Sequence, residues 1–464
     1  MSVPAWVKDA IFYQIFPDRF ENGDPQNDPP NKAQWGTKPT AYTFFGGDLK
    51  GILQRLDHLS GMGINAIYLN PIFQSASTHR YNATDYFQID RKLGGMDDWQ
   101  ALVKAAHQRD IRIILDGVFN HCGRGFFAFS DILENGNHSP YRDWFHIYHY
   151  PVDAYSRGKA KDYLGWWRYK SLPKFNTGNT EVRRYLLDIA RYWIEQGADG
   201  WRLDVPNEID DDAFWAEFRH VVRAANPEAY LVGEIWEVAP RWVGDHHFDG
   251  LMNYPLRTAV LELLSGRIKA SAFADHVENL LTVYPRENVY ALLNSLGTHD
   301  NVRIITTLGG NTKKVKLAYS FLFAYPGAPC IYYGDEIGLN GHKDPDCRRS
   351  FPWDTRHWNQ DLYQHIRQLS LLRQEHAVMR HGDLNRVMVD EKQNCYVFVR
   401  FTDASQIIVA LNVSALTRTL SLPVAEMGWP DGVEKINLLN GDHYPISGGH
   451  LSIKLPAYSS AWIR

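Results

Sequence analysis

The chain has 464 residues but only four cysteines and seven methionines. Cys122, Cys330, Cys347 and Cys395 are widely scattered, with no C-x-x-C pair and no metal-ligand spacing. A disulfide scaffold and a cysteine-based metal centre therefore have no support, and free thiols suit a reduced, cytoplasmic setting. There is no basic excess. Lys and Arg number 49 against 53 Asp and Glu, a formal net charge of −4, so no electrostatic field draws in nucleic acid. The N-terminus, MSVPAWVKDAIFYQ, lacks the basic start and apolar run of a signal peptide. No long apolar run is uninterrupted either. The stretch Leu317–Tyr333 is broken by Pro326, Gly327 and Pro329, so it reads as a buried helix, a turn and a strand rather than a membrane span. Internal repeats, low-complexity tracts and long flexible linkers are also missing.

Apolar content of 44% and charged content of 22% are ordinary for a globular protein, whereas aromatics are abundant: 15 Trp, 25 Tyr and 22 Phe. Either a bulky core or a ligand with flat apolar faces, such as a sugar ring, accounts for them. Short apolar runs alternate with amphipathic stretches. Strands are expected at Ala10–Phe16, Ile64–Asn70, Ile111–Val118, Gly200–Val205, Tyr230–Trp236, Gly250–Asn253, Tyr290–Leu296 and Cys330–Asp335. Helical patterns, such as Leu49–Leu59, Asp97–Gln108, Glu181–Gln196, Ala213–Ala225 and Lys313–Phe323, lie between most of them. Continuous apolar strands suit a parallel sheet covered on both faces, and eight of them with helical crossovers favour a (β/α)8 TIM barrel over a doubly wound sheet.

Two regions break the rhythm. Residues 122–179, rich in Gly, Asn, His and aromatics, are too long for an ordinary loop and read as an inserted domain after strand 3. Residues 377–464 alternate apolar and polar positions, as in Cys395–Phe401 and Gln406–Leu411, and read as a C-terminal antiparallel β-sandwich domain. The barrel then comprises residues 1–121 and 180–376.

In such a barrel, functional groups gather at the C-terminal strand ends. Four ends carry polar residues that a packed core does not need: Asp116–His121, Gly200–Asp204, Val232–Trp236 and Thr298–Asn301. Side chains two apart on a strand share a face. Arg202 therefore points with Asp204, and Glu234 with Val232 and Trp236, so that Asp204 and Glu234 converge at the barrel mouth. A carboxylate pair is what glycoside hydrolysis requires, one ionised as nucleophile and one protonated as acid. Arg202 is expected to keep Asp204 charged. Taken singly, an Arg-x-Asp string is as readily a structural ion pair; the case rests on four such ends in one chain.

Those strings resemble the conserved regions of the α-amylase family of glycoside hydrolases: DGVFNH (Asp116–His121), GWRLDVPNE (Gly200–Glu208), GEIW (Gly233–Trp236) and THDN (Thr298–Asn301), in order. FYQIFPDRF, INAIYLNPIF and YYGDEIGL resemble its first, second and eighth barrel strands, and the likeness spans about Trp6 to Arg464. The resemblance implies Asp204 as nucleophile, Glu234 as acid/base and Asp300 as stabiliser of the transition state. It implies sugar contacts from His121, Arg202 and His299, with Tyr81 as an aromatic platform. Asn207, Glu208, Trp236 and Arg303, in or beside the same strings, are read as further substrate-binding residues.

LPKFN (Leu172–Asn176), VPNE (Val205–Glu208) and FDGLMNY (Phe248–Tyr254) are similar to strings of neopullulanases, cyclomaltodextrinases and maltogenic amylases. Two features depart from that group. The chain starts almost at the first barrel strand, without the usual N-terminal β domain, which leaves monomer and homodimer both open. Pro206 also stands where Ala is usual. The expected activity is retaining hydrolysis of α-1,4 bonds, with α-1,6 bonds as a second target, in cyclodextrins, maltooligosaccharides, pullulan or starch, with transglycosylation. The rivals are a sucrose- or trehalose-type isomerase or transglucosidase of the same fold, and an inactive scaffold or binding subunit.

Asn22-Gly23-Asp24-Pro25-Gln26-Asn27-Asp28 crowds five oxygen-bearing side chains into seven residues, and Gly46-Gly47-Asp48 follows. A polar turn cluster explains this. The string also resembles a calcium loop of the neopullulanase group, which implies a structural Ca²⁺ held by Asn22, Asp24, Asn27, Asp28, the Gly46 carbonyl and Asp48.

Overall fold

A computed structural model describes residues 3–464. Numbering only the barrel strands, β1 is Phe12–Ile15, β2 Ala66–Leu69, β3 Arg112–Gly117, β4 Gly200–Leu203, β5 Tyr230–Gly233, β6 Gly250–Leu251, β7 Leu293–Ser295 and β8 Ala328–Tyr332. All pair in parallel, in the spatial order β6-β5-β4-β3-β2-β1-β8-β7. The barrel closes between β6 and β7, where Met252 bridges Leu293 and the Asn253 N–H donates to the Leu293 carbonyl at 2.9 Å.

Strand alternation splits the core. Ile11, Tyr13, Ile67, Leu69, Ile113, Leu115, Trp201, Leu203 and Leu231 face outward onto the helices. Phe12, Ala66, Tyr68, Ile114, Tyr230, Val232, Leu293, Ala328 and Cys330 face inward, large beside small, and fill the barrel. The inward parity continues up each strand as Gln14, Asn70, Asp116, Asp204 and Glu234, so an apolar lower interior gives way to a polar upper one. The helices follow their caps and apolar faces. Thr180–Glu195 starts where the Asn179 side chain accepts from the Glu181 and Val182 N–H groups, and it buries Leu186, Ile189 and Trp193.

Between β2 and β3 runs an antiparallel hairpin, Phe73–Ser75 with Ala83–Ile89, whose loop carries His79, Arg80 and Tyr81. Residues 118–179 form the long excursion, with one α-helix (Phe127–Asn135), three short 3-10 turns and isolated bridges such as His121–Lys174 and Gly165–Pro173. The expected helix Leu49–Leu59 is split at Arg55, whose guanidinium turns to Glu21 and to the Trp353 ring.

Beyond the last barrel helix, Gln360–Glu375, a short helix (Ala377–His381) stands where sheet was expected from 377. Buried Arg373 explains it, because its guanidinium gathers the carbonyls of Phe323, Gly327 and Met379 and folds this turn onto the barrel. The β domain follows. One four-stranded sheet (Asp383–Asp390, Cys395–Phe401, Gln406–Asn412, Ser459–Ile463) turns Phe398, Ile407, Val409 and Trp462 to the barrel. Its other face, with Val397, Ile408 and Ala410, packs on Leu420, Leu422, Leu451 and Ile453 of the second four-stranded sheet.

Candidate active site

The barrel mouth opens into a cleft of about 760 Å³. Beneath the cleft, and not among the residues that line it as the expected sugar contact would require, lies Arg202, fully buried on β4. Its Nη1 meets Asp116 Oδ1 at 2.6 Å and Asp204 Oδ1 at 3.0 Å, and its Nη2 meets Glu234 Oε2 at 2.8 Å. One guanidinium thus spans the ends of β3, β4 and β5. Asp116 is held from the other side, since the hydroxyls of Tyr68 and Tyr81 donate to its Oδ2 at 2.6 and 2.7 Å.

The chain leaves β4 sharply. Val205, β-branched, takes φ 35 and ψ 51 before Pro206, a left-handed conformation costing on the order of 1–3 kcal/mol. This turn aims the Val205 N–H at Glu234 Oε2, 3.3 Å away. The indole N–H of Trp236 lies 3.3 Å from Glu234 Oε1, and Trp236 stacks on Tyr254 at 4.2 Å and 7°.

Asp300 closes the opposite wall. Arg348 Nη2 lies 3.1 Å from its Oδ1 and His299 Nε2 3.2 Å from its Oδ2. Gln14 Nε2, which also donates to Asn70 Oδ1, donates to His299 Nδ1 at 3.0 Å. The His299 proton therefore sits on Nε2, facing Asp300 and the Tyr81 hydroxyl. His121 Nε2 donates to the Tyr81 carbonyl at 3.1 Å, and its ring stacks on Trp166.

Burial drives the protonation states. It pushes His121 and His299 down to about 3, so both are neutral hydrogen-bonding groups. Burial also raises Asp204, and the Arg202 charge that opposes it is shared, while Glu234, Asp116 and Asp300 add to the rise. The expectation that Arg202 keeps Asp204 charged is thus met only in part: the guanidinium serves three carboxylates, so Asp204 and Glu234 compete for it. Glu234 is raised by burial, against Arg202, with further upward pressure from Asp300 and Asp116. Burial also opposes ionisation of Asp300, but the Nε2–H of the neutral His299 and the charges of Arg348 and Arg202 outweigh it and hold this carboxyl below the ordinary range.

Asp204, Glu234, Asp300, Tyr81, His121, His299, Asn207, Glu208 and Trp236 all border the cleft. Arg303 does not. It is fully buried behind the site, where it binds the Asp335 carboxylate (2.9 Å) and the carbonyls of Tyr333 and Cys347. The position beside Asp300 belongs instead to Arg348, far along the sequence, which no motif marked. Trp166, Trp167 and His79 also line the cleft unannounced. Asp116 stood within a marked string, and the share it takes of Arg202 could have been foreseen from its inward parity.

The Asn22–Asp28 loop packs on Asp48. That carboxylate accepts from the N–H groups of Gly23, Asp24 and Gly51 and from the Asn27 amide, so it caps the helix Leu49–Gln54 rather than offering an open ligand. Asp24 accepts from the Gln26 N–H and pairs with Lys50, while Asp28 pairs with Lys32. Among the described residues no cluster of three or more His, Cys, Asp or Glu side chains forms a metal site. The amide oxygens of Asn22 and Asn27, however, are buried without a hydrogen-bond partner among the described residues.

A family model described as alpha amylase, catalytic domain, matches residues 14–381. The chain is 43% identical over 461 residues to a cyclomaltodextrinase of Geobacillus thermopakistaniensis, covering 98% of this chain and 77% of that protein. It is 42% identical to neopullulanase 2 of Thermoactinomyces vulgaris, covering 98% and 78%. Its fold is similar to that of the cyclic α-maltosyl-(1→6)-maltose hydrolase of Arthrobacter globiformis, solved with its cyclic substrate, with a TM-score of 0.91 at 38% identity over the whole of both chains. The chain therefore belongs to the α-amylase family, as an α-glucan hydrolase of the cyclomaltodextrinase and neopullulanase type.

Proposed function

We propose that the enzyme cleaves short linear and cyclic α-glucans with retention of configuration, using Asp204 as nucleophile, Glu234 as acid and base, and Asp300 as electrostatic partner. The observation that carries this reading is the placement of three carboxylates on different strand ends around one cleft, two of them on a single buried guanidinium. Burial raises both Asp204 and Glu234, so their protonation does not by itself divide the roles; Glu234 is assigned as proton carrier by its matching position in the family's third string, and the Val205 and Trp236 N–H groups fix its orientation. It protonates the leaving oxygen as Asp204 Oδ attacks the anomeric carbon. The glycosidic bond breaks, and the proton leaves with the released sugar. Water then attacks the ester, gives its proton to Glu234 and frees Asp204. Asp300, the one of these carboxyls held below the ordinary range, supplies negative charge suited to an oxocarbenium-like transition state. Asp204→Ala should abolish turnover of maltotriose with the fold intact, and activity that survives it refutes the assignment. Panose from pullulan would support α-1,4 cleavage; maltotriose would point to α-1,6 cleavage, the linkage named for the Arthrobacter relative. NMR should show the α-anomer first.

We further propose that the loop at Asn22–Asp28 holds a structural Ca²⁺. The buried amide oxygens of Asn22 and Asn27, without partners among the described residues, and the Asp28 carboxylate that accepts from the Asn22 amide suit a hard cation. A bound ion at a hundred times its Kd adds about 2.7 kcal/mol of stability. Chelation should therefore lower Tm and added Ca²⁺ restore it; an unchanged Tm removes the ion from the account. Four buried unpaired thiols support a cytoplasmic location, and among the described residues no helix is long and apolar enough to cross a membrane.

A further inference from the structure

The excursion presents an aromatic ring that the fold itself does not need. Trp167 is 68% exposed, yet it borders the cleft. Its backbone is left-handed (φ 48, ψ 24), and so is that of Arg168 (φ 63). Two consecutive non-glycine residues in that region cost on the order of 1–3 kcal/mol each. The turn is nonetheless pinned: the Arg168 N–H donates to the Gly165 carbonyl, the Ala160 N–H to the Arg168 carbonyl and the Trp166 N–H to the Leu172 carbonyl.

The strained turn builds a stack. Trp166 lies on the His121 ring at 5.1 Å and 13°, and Trp167 lies on Trp166 at 4.9 Å and 16°. The stack climbs from the floor of the cleft towards its rim. Both faces of Trp166 are covered, which leaves the outer face of Trp167 free and rigidly backed. The Trp166 indole N–H is buried without a hydrogen-bond partner among the described residues, at the edge of the same platform. A flat apolar face beside an unsatisfied donor matches a pyranose ring, whose C–H face is apolar and whose rim carries hydroxyl acceptors.

We propose that Trp167, backed by Trp166, is a stacking platform for a glucose unit remote from the cleaved bond, and that it sets the preference for longer α-glucan chains. The proposal rests on the glucan reading above. Its readout is the ratio of kcat/KM for maltohexaose to that for maltotriose. Trp167→Leu keeps apolar bulk but loses the flat face, and should lower the ratio about tenfold, the equivalent of about 1.4 kcal/mol of lost stacking. Trp167→Phe keeps a ring and should hold the ratio within about threefold. An unchanged ratio in Trp167→Leu, or equal losses in both variants, overturns the platform. If Trp167→Leu fails to fold, titration of the Asp204→Ala protein with maltohexaose decides: tryptophan fluorescence should respond, and Trp167→Phe should reduce the response. A response of the same size in Trp167→Phe as in the parent overturns it, since Trp166 and Trp236 also border the cleft and supply any remainder. Failure of the wild type to cleave either oligosaccharide refutes the glucan reading instead.

Discussion

Replacing Arg202 by Met tests the electrostatic core of the site. The guanidinium is fully buried and lies within 2.6 to 3.0 Å of Asp116, Asp204 and Glu234. Methionine is shorter and uncharged, so the loss combines a small cavity with the missing charge, and the pH dependence separates the two. Removing one partner of a buried ion pair costs about 3–5 kcal/mol, because the other charge stays in low dielectric. Unfolding entropy of about 2.1 cal/mol/K per residue gives about 1 kcal/mol/K for 464 residues. The variant should therefore lose about 3–5 °C in Tm at neutral pH.

The pH dependence gives the sharper test. All three carboxyls are raised by burial even with Arg202 present, and without it they rise further. A folded-state carboxyl raised above its unfolded value binds more protons folded than unfolded. Its contribution favours the native state at pH below the unfolded pKa of about 4 and is lost as pH climbs through the raised folded pKa. The Tm deficit of Arg202→Met should thus be largest near pH 7.5 and shrink towards pH 4.5, as read by thermal denaturation at both. Adding Asp116→Asn removes one stranded charge and should recover part of the neutral-pH loss. A deficit equal at both pH values, or under about 1 °C at pH 7.5, would refute shared ionisation as the organising interaction.

Other outcomes follow from the same geometry. Glu234 must be protonated to act as an acid, so activity should fall as pH rises through its raised pKa; in Glu234→Gln, assayed on an aryl glucoside whose leaving group needs no proton, that alkaline limb should vanish, and a limb left in place would remove Glu234 as donor. His299 is pushed down to about 3 and stays neutral from pH 5 to 8; His299→Gln should reduce kcat/KM about tenfold or more without moving either limb, and a shifted limb would contradict its neutrality. Gly250 sits where an added Cβ would lie 2.0 Å from the Ala291 carbonyl oxygen; Gly250→Ala should cost about 1–3 kcal/mol in urea denaturation, and a neutral effect would mean that the β6–β7 seam opens freely.

The parts of this site legible in the sequence are those that strand geometry controls. A period of two placed Arg202 with Asp204 and Glu234 at the mouth, because an extended chain offers its side chains only two directions. The same rule separates Phe12, Ala66 and Ile114 inside the barrel from Tyr13, Ile67 and Ile113 outside it. What depended on loops was less legible. Arg303 lies close to Asp300 in sequence, yet the turn after β7 sends it down to Asp335, while Arg348 arrives from the loop after β8. Chain proximity did not decide which arginine meets the carboxylate; the route of two loops did. The charge balance was hidden for a related reason. Read along β4 alone, Arg202 and Asp204 look like a private pair. Only the pairing of β4 with β3 on one side and β5 on the other brings Asp116 and Glu234 onto the same guanidinium, and that sharing, rather than the presence of an arginine, leaves two carboxyls with different tasks competing for one charge. A substrate that takes the proton from Glu234 alters that competition, so the protonation state of the site follows the reaction instead of being set in advance by sequence neighbours.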